Sequence, residues 1–179
     1  MLIENRFDKL YSTSQWPPNA VHKENGEDIT YYLNPRASSI KVIDFGGATF
    51  KQDFHGSVIN TRQYRGPEVI LQCCEWDEKS DIWSAACILY ELYTGDMLFP
   101  THNSIEHLAL ITKLLGEFPE WMIVSSNKEV RECFRQNKNN TTILELDWPG
   151  CIPRDVSMKT YNNMRPIEVQ VQVNHRLTY

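Results

Sequence analysis

No run of lysine and arginine, no C-x-x-C pair and no long apolar stretch occurs in these 179 residues, and each absence removes a class of function. Without a basic block, and with a formal net charge of −5, the chain offers no continuous positive surface to a nucleic-acid backbone. The same acidic balance suits a basic polypeptide partner. The five cysteines, at positions 73, 74, 87, 133 and 151, are odd in number and lack zinc-ligand spacing, so they read as reduced thiols of core or surface. No segment approaches the roughly 20 apolar residues of a membrane span. Met1-Leu2-Ile3 is interrupted at once by Glu4, Arg6 and Asp8, which denies it the apolar stretch of a signal peptide. The expected location is cytoplasm or nucleus.

What is present is globular in kind. Hydrophobic residues make up 41% of the chain, with five tryptophans, enough to fill a core. Met1-Leu2-Ile3 reads as the end of a strand, and Ser12 to Asn34, rich in Ser, Pro, Asn and charge, as a surface insertion. Ile40 to Phe45 reads as a short strand, and the irregular apolar spacing from Gly46 to Gly66 as a long ordered loop of the kind that carries function. Ser80 is a good N-cap for a helix from Asp81 to Thr94, with Gly95 as its stop. Ile82, Trp83, Ala85, Ala86, Cys87, Ile88, Leu89 and Leu92 cover most of that helix, which predicts a central, buried position. A second helix is expected from Asn103 or Ser104 to Gly116, amphipathic and peripheral, with Ile105, Leu108, Ile111 and Leu115 on one face. A short helical stretch after Pro119 and a third helix over Lys128 to Gln136 follow. Val169, Val171 and Val173 alternate with Gln170 and Gln172, a period of two that reads as a strand or as an out-of-place segment. His102 and His107, five apart, do not share a helix face as metal ligands would, and read as structural.

Two motifs carry chemistry. Asp44-Phe45-Gly46 ends the apolar run Ile40 to Ile43, and Thr61-Arg62-Gln63-Tyr64-Arg65-Gly66-Pro67-Glu68 closes the irregular segment that follows. Together they resemble the opening and closing markers of the activation segment in protein kinases. Asp81-Ile82-Trp83-Ser84 and Glu106-His107-Leu108-Ala109-Leu110-Ile111-Thr112-Lys113-Leu114-Leu115-Gly116 narrow the resemblance to the LAMMER, or CLK-type, dual-specificity kinases of the CMGC group, whose name-giving helix reads E-H-L-A-M-M-E-R-x-L-G. The chain departs from that pattern at Leu110 to Lys113, at Gly66 for the usual Ala and at Ala86 for the usual Gly.

The resemblance implies a mainly α fold, a partial kinase C-terminal lobe with short strands before the activation segment and helices after it. It divides the chain into a strand remnant with surface insertion (1–38), a partial kinase domain (39–150) and a divergent tail (151–179). It implies ATP and Mg²⁺ as cofactors, with Asp44 as the metal ligand, Phe45 packed inward and Gly46 permitting the turn. Thr61 would contact the catalytic Asp, and Arg62 and Arg65 would bind peptide substrate. Glu68 and Asp81 would be structural, Glu68 through an ion pair with a late-helix Arg and Asp81 through backbone N–H groups of the catalytic loop. The partners implied are Ser/Arg-rich proteins, with no direct nucleic acid and no membrane. None of G-x-G-x-x-G, V-A-I-K or H-R-D-x-x-x-x-N occurs in these residues, so the expectation is a truncated, inactive kinase fragment, or else a non-catalytic kinase-like interaction module.

Overall fold

The computed structural model describes residues 7–11, 20–24, 27–35, 40–137, 144–151, 158–167 and 169–170. The chain divides into two compact units, one running up to Ala48 and the other spanning Thr49–Gln170.

The first unit holds an antiparallel sheet of order β1-β3-β2, made of β1 (Phe7–Tyr11), β2 (Ala20–Glu24) and β3 (Glu27–Pro35). Leu10 stands opposite Tyr32 and His22 opposite Ile29. Within the span Ser12 to Asn34, read as a surface insertion, β2 and β3 pair as strands. Ile29, Thr30, Tyr31 and Tyr32 are strand formers, and only Asn25-Gly26 separates Glu24 from its partner Glu27, the dipeptide that favours a two-residue hairpin connection. Met1-Leu2-Ile3 lies outside the described residues. The strand expected at Ile40 to Phe45 is reduced to one bridge at Ile40, followed by a short 3₁₀ turn over Phe45–Gly47. Ile40 and Val42 are exposed, and beyond the Ile40 bridge the apolar run joins no ladder among the described residues.

The second unit is mainly helical. It comprises α1 (Pro67–Leu71), α2 (Lys79–Thr94), α3 (Ser104–Leu115), α4 (Glu120–Val124), α5 (Lys128–Arg131), the hairpin pair β4 (Phe134–Gln136) and β5 (Leu144–Leu146), and α6 (Lys159–Asn163). The start of α2 lies earlier than Ser80 suggested. The Asp77 carboxylate accepts the Lys79 N–H at 2.9 Å, so that Ser80 enters the helix and its buried hydroxyl faces the loop before α1. Gly95, with φ 82°, stops the helix as expected, and its N–H closes on the Glu91 carbonyl.

The relative standing of α2 and α3 reverses the sequence reading. In α3, Leu108, Ala109, Leu110, Ile111 and Leu114 are all buried, together with His107, and Asn103 caps its first turn through Ile105 N–H (2.8 Å) and Glu106 N–H (3.0 Å). An apolar set that wraps beyond one stripe belongs to a core helix. Leu115, assigned to the buried face, is exposed instead. In α2 only Ser80 and Cys87 are buried, while Ile82 is 70%, Leu89 66% and Leu92 77% exposed. Trp83 keeps core contact by stacking on Phe99 at 6.1 Å, so α2 packs by one edge.

Wet side chains of this size forgo about 1.5–3 kcal/mol each relative to burial. The expected result is that the purified chain binds a hydrophobic dye and self-associates, and that Leu92→Glu lowers both signals without loss of helical circular dichroism. A monomeric sedimentation profile with no dye enhancement would contradict this.

The third helix expected over Lys128 to Gln136 stops at Arg131. Beyond it β4 pairs with β5, Phe134 opposite Leu146, and places the Phe134 ring edge-on to Phe118 at 6.2 Å in the core. A short apolar stretch with a distant partner reads the same as a helix end when taken alone. The strand expected from Val169 is likewise absent at its described end. Val169 and Gln170 both donate N–H to the Pro166 carbonyl in a helical turn, and residues 171–173 lie outside the described residues.

Candidate functional site

The loop from Ile59 to Arg65 connects the exposed segment Thr49 to Val58 with α1, and almost every residue in it is tied to the helical scaffold. Asn60 takes a left-handed backbone, φ 60°, which an asparagine tolerates better than most residues. Arg65 pins this turn from within the loop, donating Nε to the Ile59 carbonyl at 2.9 Å and Nη2 to the Asn60 carbonyl at 3.0 Å. The Asn60 amide reaches α2, donating to Ser84 Oγ at 3.0 Å, and Ser84 in turn donates to the Tyr64 carbonyl at 2.8 Å. Tyr64 donates its hydroxyl to Glu91 at 2.6 Å, and this acceptor, ahead of burial, raises the phenol above its ordinary range.

The other side of the loop is held by the segment leading into α3. Arg62 Nη1 donates to Ser104 Oγ at 2.8 Å and Gln63 Nε2 to the Thr101 carbonyl at 3.0 Å. Thr101 itself is buried and hydrogen-bonded to the buried Glu106 carboxylate. Behind this layer lies His107, fully buried, its ring 4.9 Å from that of Phe99 and neither nitrogen bonded. Burial first, then the positive charges of Arg62 and Arg65, push its pKa down to about 4. Arg65 is lowered as well, by burial and then by Arg62.

Thr61 differs from its neighbours. It is exposed, its carbonyl accepts the Tyr64 N–H at 2.9 Å, and its hydroxyl has no protein partner among the described residues. The result is a rigid shelf with one free hydroxyl at its edge, shaped by fixed guanidinium geometry. Glu68 stands in the first turn of α1, half-buried, with no ion-pair partner among the described residues. Its carboxylate folds back over Gly66, into the space that a Cβ there would need. Asp81 is exposed in the first turn of α2, where a carboxylate favours the helix N-terminus.

Asp44, Phe45 and Gly46 belong to the first unit. Asp44 has a left-handed backbone, φ 68°, and opens the 3₁₀ turn. Phe45, expected to pack inward, is 68% exposed. Among the described residues no group of three or more His, Cys, Asp and Glu could hold a metal ion. Mg²⁺ bound with nucleotide takes one or two carboxylates besides phosphate oxygens, and Asp44 supplies one. One carboxylate at Asp44 is compatible with that share, the remaining ligands being phosphate and water oxygens.

Sequence reasoning picked out Thr61, Arg62 and Arg65 but not Ser104, which holds Arg62, nor Asn60, Ser84 and Glu91, which tie the rest of the loop to α2. Their partners lie 20 to 42 positions away in the chain, and no local pattern announces such pairs.

A helical unit entered through a clamped activation-segment loop is the architecture of a kinase C-terminal lobe, and residues 28–145 match the family described as "Protein kinase domain". The chain belongs to the protein kinase family. Within it, the relatives are of the LAMMER type that the α3 motif suggested: the serine/threonine-protein kinase AFC1 of Arabidopsis thaliana is 41% identical over 131 residues, which cover 72% of this chain and 27% of that protein. The human dual specificity protein kinase CLK4 is 43% identical over 148 residues, covering 79% of this chain and 29% of its own length, and human CLK1 is 38% identical over 150 residues. The solved kinase domain of PF14_0431 superposes with a TM-score of 0.69 and 33% identity, over 97% of this chain and 47% of that one. The chain thus spans less than a third of the length of these curated relatives. Among the described residues no helix is long and apolar enough to cross a membrane.

Proposed function

We propose that the chain carries the peptide-substrate floor of a LAMMER-type serine/threonine kinase, acting on Ser/Arg-rich proteins of the nucleus, and that these 179 residues alone do not transfer phosphate. One observation carries the reading: the Ile59 to Arg65 loop is clamped by α2 and the α3 entry, with Arg65 on two carbonyls, Ser84 on Tyr64 and Arg62 on Ser104. A floor held this firmly spends little on ordering when a peptide lies across it. In this reading Arg62 and Arg65 shape the surface that meets substrate, and Thr61 offers its free hydroxyl to a catalytic carboxylate. Glu68 and Asp81 brace the ends of α1 and α2, and residues 39–150 form the kinase part. Asp44 would be one of the ligands of a nucleotide-bound Mg²⁺; the left-handed residue of its turn is Asp44 itself, and Gly46, expected to permit the turn, has no positive φ.

Phosphoryl transfer depends almost wholly on positioning and on charge stabilisation by metal, lysine and base. The motifs that supply the lysine, the base and the second metal ligand do not occur here. The purified chain, given radiolabelled ATP, Mg²⁺ and a Ser/Arg-repeat peptide, is expected to show no incorporation above background. Incorporation that is lost in Asp44→Ala would overturn the proposal. The second reading, a non-catalytic interaction module, is favoured by the same clamped floor standing without those motifs. It predicts measurable Ser/Arg-peptide binding without turnover, weakened by Arg62→Ala.

A further inference from the structure

Two of the five free cysteines are neighbours in sequence, and their sulfurs meet: Cys73 Sγ lies 3.9 Å from Cys74 Sγ. The local backbone brings this about. α1 ends at Leu71, Gln72 takes a left-handed conformation with φ 52°, and the chain bends at Cys74. Asn127 fixes the bend from outside, its N–H donating to the Leu71 carbonyl at 2.9 Å and its side chain to Gln72 at 3.2 Å.

The two thiols live in different surroundings. Cys73 is buried in the hydrophobic core, whereas Cys74 is exposed on the wall of an open cavity of about 690 Å³ that Glu68, Gln72, Glu75 and Trp76 also line. Burial, and then contact with Cys74, pushes the Cys73 thiol up to about 12, which leaves it about a thousandfold less thiolate at neutral pH than an ordinary cysteine. An accessible thiol with a protonated one directly behind it sets an order of reaction.

We propose that Cys73 and Cys74 form a reversible oxidation site, at which Cys74 reacts first with a hydroperoxide and Cys73 then resolves it as a vicinal disulfide. In the first step the Cys74 sulfur, as thiolate, attacks the outer peroxide oxygen. The S–O bond forms, the O–O bond breaks, and the departing alkoxide takes up the thiol proton and leaves as an alcohol. In the second step the Cys73 sulfur attacks the Cys74 sulfenic sulfur. The S–S bond forms, the S–O bond breaks, and hydroxide leaves with the Cys73 proton as water. Two thiols and one hydroperoxide thus give one disulfide, one alcohol and one water, the thiols being oxidised and the peroxide reduced.

Adjacent Cα atoms stand about 3.8 Å apart, below the range of roughly 4.4–6.8 Å in which a disulfide is unstrained. Strain of this kind makes a disulfide easy to reduce, which suits a reversible mark rather than a permanent staple.

The test uses the purified chain, hydrogen peroxide and peptide mapping without reductant. Residues 66–79 form one tryptic segment that holds both cysteines. That segment is expected to lose about 2 Da on oxidation and to regain it with dithiothreitol. In Cys73→Ser the Cys74 sulfenic acid should persist and be captured by a cyclic 1,3-dione. In Cys74→Ser, Cys73 should oxidise at least about a hundredfold more slowly than Cys74 does in the native chain. Equal rates for Cys73 in Cys74→Ser, accumulation of Cys74 sulfinic acid with no disulfide in the native chain, or oxidation of Cys133 or Cys151 while the pair stays reduced would each overturn the proposal.

Discussion

Replacing Phe99 by alanine is expected to cost about 3–5 kcal/mol of stability, the usual penalty for deleting a fully buried aromatic ring. The residue is only 1% exposed and lies between α2 and α3, stacked on Trp83 of α2 at 6.1 Å and tilted against His107 of α3 at 4.9 Å. Of the apolar side chains of α2, only Trp83, Cys87 and Tyr90 reach the core, because most of the others face outward. The cavity left by Phe99→Ala would open against Trp83, whose indole N–H already lacks a partner, so collapse around the gap has little to offer. Against a typical total of about 5–15 kcal/mol, a loss of this size brings the chain to the edge of unfolding at room temperature. Urea denaturation followed by tryptophan fluorescence measures it. A change below about 1 kcal/mol would show that α2 is held by something other than this stack.

How far the fold could be read from sequence depended on whether the deciding partner was local. The ends of α3 were legible because Asn103 and Gly116 act on their own helix, and so was the Gly95 stop of α2. The kinase motifs were legible because their residues are contiguous. Burial was not, since it depends on neighbours: α2 is apolar on nearly every side yet mostly wet, whereas α3 hides even His107 and Glu106. The β4–β5 pair escaped for the same reason, since Phe134, read as part of a helix over Lys128 to Gln136, has its partner twelve positions on at Leu146. The hairpin signal Asn25-Gly26 was local and was outweighed by the polar composition around it. In the candidate site, the residue types of the floor could be named in advance, but Asn60, Ser84 and Ser104, which give it rigidity, became visible only through their hydrogen bonds.

The buried imidazole of His107 should make stability fall steeply in mild acid. Its pKa is about 4 in the fold against an ordinary 6.5, because burial and the guanidinium groups of Arg62 and Arg65 disfavour the charged ring. Below pH 6.5 the unfolded chain takes up a proton that the folded chain refuses until about pH 4, so lowering the pH favours unfolding throughout that window. The stabilisation is fully present above pH 6.5 and is lost as the pH falls toward 4, and between pH 7.5 and 5 the loss amounts to about 2 kcal/mol. Glu106 cannot relieve this by pairing with the ring, since its carboxylate is engaged by Thr101 and both imidazole nitrogens stand without partners. His107→Leu removes the titrating group and the unsatisfied nitrogens together while keeping most of the volume, so it should raise stability at pH 7.5 and flatten the pH dependence. Urea midpoints for both proteins at pH 7.5, 6 and 5 decide the matter. Parallel curves would mean that the acid sensitivity lies in the carboxylates, and that His107 finds a partner in solution.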